Sequence, residues 1–221
     1  MNSAVAVPVD ARATARTRAR YDRNAPLFYD LMTRGSERRL ASARATMWRA
    51  VRGPRVLEVG VGTGINMPYY PPGMQMTAID LSPRMLERAR LRAQKLDVVV
   101  DLREADAQAL PFPDGSFETV VATCVFCSVP DPVLGLRELR RVLVLGGQLL
   151  LMEHVLSERP IVRQLMQGLN PMVVRMMGAN INRETIANVQ IAGFHHLEVQ
   201  NLWLQIFKAI KARALESHPP G

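Results

Sequence analysis

The chain has 221 residues, 48% of them hydrophobic and 22% charged, and a formal net charge of +8. This balance excludes a disordered or fibrous chain and leaves ample apolar material for a core. No uncharged apolar run reaches the roughly 18 residues of a membrane span, residues 1–9 hold no leader-like apolar core, and two cysteines, Cys124 and Cys127, make no disulfide framework, so a reducing cytosolic setting is expected.

Residues 1–55 carry twelve arginines against Asp10, Asp22, Asp30 and Glu37, which accounts for the whole net charge. A basic arm on a neutral body points to an anionic partner (lipid surface, nucleic acid or acidic substrate) or to a solvated tail. Within it Leu27, Phe28, Leu31 and Met32 cluster. Leu40, Ala43, Met47 and Val51 then recur at near-helical spacing among arginines, with Trp48 as a potential interfacial aromatic. Such a stretch either lies in a headgroup layer or packs on the body with its arginines in water. Gly53-Pro54 ends the segment, so residues 1–52 read as a basic extension with amphipathic helices and 53–221 as the main domain.

Residues 56–59 predict a buried strand and 60–64 a tight glycine loop. A second strand over 75–80 ends in Asp80. Ser82-Pro83 opens a helix running to about Lys95, with Ser as N-cap and Pro in the first turn. Strands are expected over 98–103 and 119–126, separated by turn signals at Pro111, Pro113 and Asp114-Gly115. A helix over 132–142, a turn at Gly146-Gly147 and a strand over 148–155 follow. This alternation predicts an α/β fold, a parallel sheet with helices on both faces. The Met- and Leu-rich stretch 160–178 is expected to break at Gly168 and Pro171. A helix over 183–192 and strands over 195–202 and 205–213 close the chain.

Glu58 to Gly64 reads E-V-G-V-G-T-G between a strand and a helix. Glycines permit a sharp turn and let a ligand approach bare backbone. The spacing is not the G-x-G-x-x-G that seats a pyrophosphate on a helix N-terminus, and Glu58 at the strand end would repel phosphate and favour a cation. Asp80, 22 residues on, stands where a carboxylate accepts ribose hydroxyls. Asp106, after the third strand, suits an adenine amino group. Each acid alone is an ordinary capping residue; three at successive strand ends beside this loop form a pattern.

VLEVGVGTG, AIDLSPRML and ADAQALPFPDGSFETVVATCVF together resemble the class I S-adenosylmethionine-dependent methyltransferases over roughly residues 50–156. The resemblance implies a Rossmann-like, seven-stranded, mostly parallel sheet with helices on both faces and an N-terminal amphipathic helical extension. It also implies S-adenosylmethionine as cofactor, with S-adenosylhomocysteine as product. Carried over by position, Gly60, Gly62 and Gly64 line the methionine side, Asp80 takes the ribose, Leu81 and Met85 flank the adenine, Asp106 and Ala107 face its edge, and Cys124 sits beside the sulfonium; Tyr21 and Glu58 are further cofactor-binding candidates. The (N/D)-P-P-Y tetrapeptide of amide-methylating enzymes is absent, Thr123-Cys124-Val125-Phe126 standing in its place, so no nucleic-acid partner is expected.

Tyr21-Asp22 to Tyr29-Asp30 resembles the small-molecule and lipid branch, which includes the quinone C-methyltransferases and the bacterial phospholipid N-methyltransferases. Phe126-Cys127-Ser128-Val129-Pro130-Asp131-Pro132, Glu153-His154-Val155-Leu156-Ser157 and Gly178-Ala179-Asn180-Ile181-Asn182-Arg183 resemble most closely the bacterial phosphatidylethanolamine N-methyltransferases. That likeness implies N-methylation of phosphatidylethanolamine toward phosphatidylcholine. It carries a peripheral location on the inner face of the membrane, an anionic membrane partner and a monomer, with 160–180 as a substrate-side insertion that either lids acyl chains or fills the core edge. Quinone C-methylation and thiol S-methylation are the alternatives. Tyr21, Glu153 and His154 are the catalytic candidates for amine deprotonation. Tyr29, Asn180, Asn182 and Arg183 are the substrate-binding candidates, the last three for phosphate or as a turn capping the next helix. No histidine or cysteine spacing suggests a metal.

Overall fold

The computed structural model describes residues 8–24, 40–203 and 205–214. Seven strands form one sheet: β1 (Arg55–Val59), β2 (Gln75–Asp80), β3 (Asp101–Glu104), β4 (Phe117–Thr123), β5 (Leu143–His154), β6 (His195–Trp203) and β7 (Phe207–Arg213). Their order is β3-β2-β1-β4-β5-β7-β6, with β1 to β5 parallel and β7 antiparallel to both its neighbours. The helices are α1 (Ala11–Asn24), α2 (40–49), α3 (Pro83–Leu96), α4 (Pro132–Val142), α5 (Pro160–Met177) and α6 (Thr185–Ile191). This is the mostly parallel, Rossmann-like sheet that the alternation and the resemblance imply. Among the described residues no helix is long and apolar enough to cross a membrane.

A side-chain period of two sorts the central strands between two cores. Leu57 and Val59, Val120 and Ala122, Leu149 and Leu151 join one cluster, with Leu136 and Leu139 of α4 and Val189 of α6. Val56, Val121, Leu150 and Met152 join the other, under Leu40, Met47, Trp48 and Val51 of and after α2. Trp48 is only 1% exposed and its ring lies 4.8 Å from that of Tyr70. Residues 40–51 therefore pack on the sheet, the second of the two alternatives, and Trp48 is a core residue rather than an interfacial aromatic. Arg34, Arg38, Arg39 and the apolar cluster at 27–32 lie outside the described residues.

Other boundaries shift for local reasons. The third strand begins at Asp101, where pairing with β2 at Thr77 starts. The fourth ends at Thr123, because Cys124 takes a left-handed φ of 56° that leaves the extended conformation. Gly146-Gly147 is not a turn before the fifth strand but a bulge within it, where the β4 pairing jumps from Phe117–Leu143 to Thr119–Gln148 and Gly146 has φ 69°. α5 runs unbroken through Gly168 and Pro171. It buries Met166 but presents Ile161, Leu165, Leu169 and Met172 to solvent, so most of this apolar stretch does not fill the core edge.

Replacing Trp48 by Ala removes a fully enclosed ring, and stability should fall by about 3–5 kcal/mol. A urea midpoint close to wild type would mean the indole is not packed there.

Candidate active site

The chain leaves β1 toward β2 on one side and returns through β3 to β4 on the other, so the loops after β1 and β4 diverge. Ligands of open α/β sheets sit at this reversal, outside the carboxyl ends of the strands. A cleft lies there, enclosing roughly 670 Å³ when its open mouth is counted, a small-molecule size. Its floor is Val59, Gly60 and Gly62 after β1, Ile79, Asp80 and Leu81 after β2, and Asp106 and Ala107 after β3. Thr123, Cys124, Val125, Ser128 and Val129 make one wall, Met85 of α3 lies deep, and Thr17 and Tyr21 of α1 roof it.

The glycines are required where they stand. Gly60 has φ 69°, and a Cβ there would lie 2.4 Å from the Val125 side chain. Gly62 has φ 55° and a Cβ on it would meet no atom within 4 Å, so bare backbone fronts open space. Asp80 Oδ2 accepts the Gly62 N–H at 2.8 Å and Oδ1 accepts the Ser82 N–H at 2.9 Å. Burial raises the Asp80 carboxyl to about 6, against the pull of these two bonds. Ser82 caps α3 as expected, accepting from Met85 N–H at 3.2 Å.

α1 is held down by polar contacts on one face. Thr14 Oγ1 donates to Asp106 Oδ2 at 3.1 Å, Ser82 Oγ donates to Asp22 Oδ1 at 2.5 Å, and Arg18 pairs with Glu104 at 2.6 Å. Tyr21 keeps a partly exposed edge while its hydroxyl lies deep beside Ser128, and burial pushes that hydroxyl well above the usual tyrosine range. Thr14, Thr17, Asp22 and Ser128 are not among the site residues expected from the sequence. Thr14, Thr17 and Tyr21 recur at helical spacing along one face between arginines, and that pattern could have marked the roof.

Thus Tyr21, Gly60, Gly62, Asp80, Leu81, Met85, Asp106, Ala107 and Cys124, carried over from the resemblance, line one cleft. Other candidates do not reach it. Glu58 faces the α2 side, wholly buried, accepting from Asn66 and from the Tyr70 hydroxyl, with Arg44 beside Asn66. Burial raises its carboxyl to about 7 although these partners and Arg44 oppose the shift. Gly64 packs beneath the loop against Met67. Glu153 is buried behind the wall, its Oε1 accepting the N–H groups of Val125 and Phe126 at 2.9 and 3.2 Å, so it positions that wall rather than touching a ligand.

His154 stacks edge-on to Phe207, and burial holds its imidazole below the usual range. Asn180 binds the Cys127 carbonyl through its backbone N–H and its Nδ2, and Arg183 donates to the Val129 carbonyl at 2.8 Å. Both therefore brace the wall; Asn182 lies in the turn between them and does not line the cleft. Tyr29 falls outside the described residues.

Comparison with known proteins adds to this geometry. Residues 57–151 match the family described as "Methyltransferase domain". The chain is 43% identical over 110 residues to a phosphatidylethanolamine N-methyltransferase of Cereibacter sphaeroides, covering 49% of this chain and 54% of that protein. It is 32% identical over 184 residues to a demethylmenaquinone methyltransferase of Clavibacter sepedonicus, covering 80% and 74%. It is 28% identical over 215 residues to a human thiol S-methyltransferase, covering 86% and 85%. A SAM-dependent methyltransferase structure from Thermotoga maritima shares the fold with a TM-score of 0.67 at 21% identity, covering 90% of this chain and 99% of that one.

Burial raises the Glu153 carboxyl to about 8, against the pull of its two backbone N–H bonds. The native state then holds a proton that the unfolded chain sheds near the ordinary carboxylate value, so this group's contribution to stability falls as pH rises from about 5 to 8. Glu153→Gln keeps the acceptor oxygen and removes the titration. Urea midpoints across that window should vary less with pH in the variant; an identical pH dependence would show that Glu153 does not titrate there.

Proposed function

The chain belongs to the S-adenosylmethionine-dependent methyltransferases, and on that premise we propose that it methylates the amine of phosphatidylethanolamine at a membrane surface, toward phosphatidylcholine. The observation that carries this reading is the 43% identity to a phosphatidylethanolamine N-methyltransferase, which spans about half of either protein.

The cleft fits the donor. The Gly62 backbone, at φ 55°, fronts open space, so a ligand can approach it directly. Asp80 offers carboxylate oxygens to ribose hydroxyls, while Ile79, Leu81, Met85 and Ala107 offer apolar surface to an adenine, with Asp106 at its edge. When bound, S-adenosylmethionine supplies an electrophilic methyl on a cationic sulfur.

The chain's own residues then position and shield. Asp80 and Asp106 bias the cleft toward cations. The buried Tyr21 phenol stays protonated at neutral pH, so it serves as a neutral hydrogen-bonding and aromatic surface for an ammonium rather than as a base. Together with Ser128 it orients the amine, and α1 keeps bulk water from the floor. The runner-up is C-methylation of a quinone ring, favoured by the longer match to the demethylmenaquinone enzyme and by the cleft's apolar lining.

Three outcomes are expected. Labelled S-adenosylmethionine should transfer label to phosphatidylethanolamine dispersed in detergent micelles; label on demethylmenaquinone or an alkyl thiol instead would replace the acceptor. In calorimetry with S-adenosylhomocysteine, Asp80→Asn should weaken binding roughly tenfold to a hundredfold. Wild-type affinity should drop as pH falls through about 6, where Asp80 takes up its proton. Affinity flat across that range would remove Asp80 from the site.

A further inference from the structure

We propose that the outer face of α5 is the surface by which the protein docks on an anionic lipid bilayer. Ile161 is 83% exposed, Leu165 60%, Leu169 40% and Met172 53%. Positions 161, 165 and 172 share one helix face with 169 at its margin, a stripe about 16 Å long at 1.5 Å per residue. The helix is held from beneath by buried Met166 and by Asn170, whose Oδ1 accepts the Ile181 N–H at 2.9 Å. Its outward apolar face is not the far side of a packed core.

Charge selects the occupant. α5 contains Arg163 and Arg175 and no carboxylate, and Arg159 caps its start. The nearby acids are already engaged, Glu158 by Lys208 and Glu184 by Arg163. Exposed Arg159 and Arg175 therefore flank the apolar stripe at its two ends. Aliphatic side chains between arginines suit the headgroup–acyl boundary of an anionic leaflet. A second copy fits poorly, because antiparallel pairing of two such stripes would set Arg159 against Arg175, like charge on like.

Position links the face to the cleft. Gly178, which ends α5, lies against Arg20 of α1, and Asn180 just beyond it holds the Cys127 carbonyl of the cleft wall. A lipid lifted at this face enters beside that wall. The proposal rests on the acceptor reading above for why a bilayer is met, but docking is measurable without any acceptor.

The test is flotation of the full chain with vesicles of phosphatidylcholine and phosphatidylglycerol, free of phosphatidylethanolamine. Changing Ile161, Leu165, Leu169 and Met172 together to Ser should lower partitioning at least tenfold, with S-adenosylhomocysteine binding unchanged. If that variant does not fold, Ile161→Ser with Leu165→Ser alone should still lower it severalfold. Unchanged flotation of a folded variant overturns the proposal, as does light scattering that shows a wild-type dimer dissolved by these changes. Loss of flotation in the variant with no label on micellar phosphatidylethanolamine from wild type would instead keep the docking face and discard the acceptor.

Discussion

The hydrogen bond from the Gly62 N–H to the Asp80 carboxylate joins the loop after β1 to the end of β2, and the cleft is arranged around it. Parallel pairing brings Val59 beside Ile79, and the Val61 N–H extends the ladder to the Ile79 carbonyl at 2.9 Å. Asp80 thus stands one residue beyond the pairing, level with the loop. Its second oxygen takes the Ser82 N–H and so sets where α3 begins. One side chain aligns the bare backbone, the start of the neighbouring helix and a carboxylate open to the cleft. The desolvation this requires is visible in the carboxyl's upward shift.

The wall opposite is built by a comparable device. Strand β4 is followed by the left-handed Cys124, and the Val125 and Phe126 N–H groups that this turn frees are taken by Glu153 at the end of the adjacent strand. Backbone donors left unpaired in a buried turn would cost about 1–3 kcal/mol each. Asn180 and Arg183 satisfy carbonyls of the same segment from outside. These polar residues act through the wall they hold, while the groups that face the cleft are mostly apolar or hydroxyl-bearing. That division suits a site whose work is alignment of two reactants.

The basic N-terminal region divides by face and by position. In α1, Thr14, Thr17 and Tyr21 turn inward over the cleft while Arg12, Arg16 and Arg23 remain exposed. In α2, Arg44 turns inward and is buried beside Asn66, within reach of Glu58, whereas Arg49 stays in water. Net charge alone therefore says little about which arginines meet a partner. Among the described residues α5 exposes an apolar stripe, whereas α2 buries Leu40, Met47 and Trp48.

Local chemistry was legible in the residues themselves. Strand–helix alternation, the Ser82-Pro83 helix start and three acids at strand ends follow from short-range rules that operate within one turn or one strand, so the sheet and most of the cleft floor could be read in advance. The roof and the wall could not. Whether Glu58, Glu153 or Arg44 faces a ligand or a core depends on strand register and on which helix covers which face. A shift of one residue exchanges the two sides, and no local pattern reports it. α5 makes the same point: Gly168 and Pro171 weaken a helix locally, yet tertiary anchoring at Met166 and Asn170 accompanies a continuous one. Composition and spacing determined that a glycine loop and carboxylates would meet at one edge of a parallel sheet. Only the packing of α1, α2 and α5 around that sheet decided which side chains are open to a ligand, because burial is set by neighbours far away along the chain.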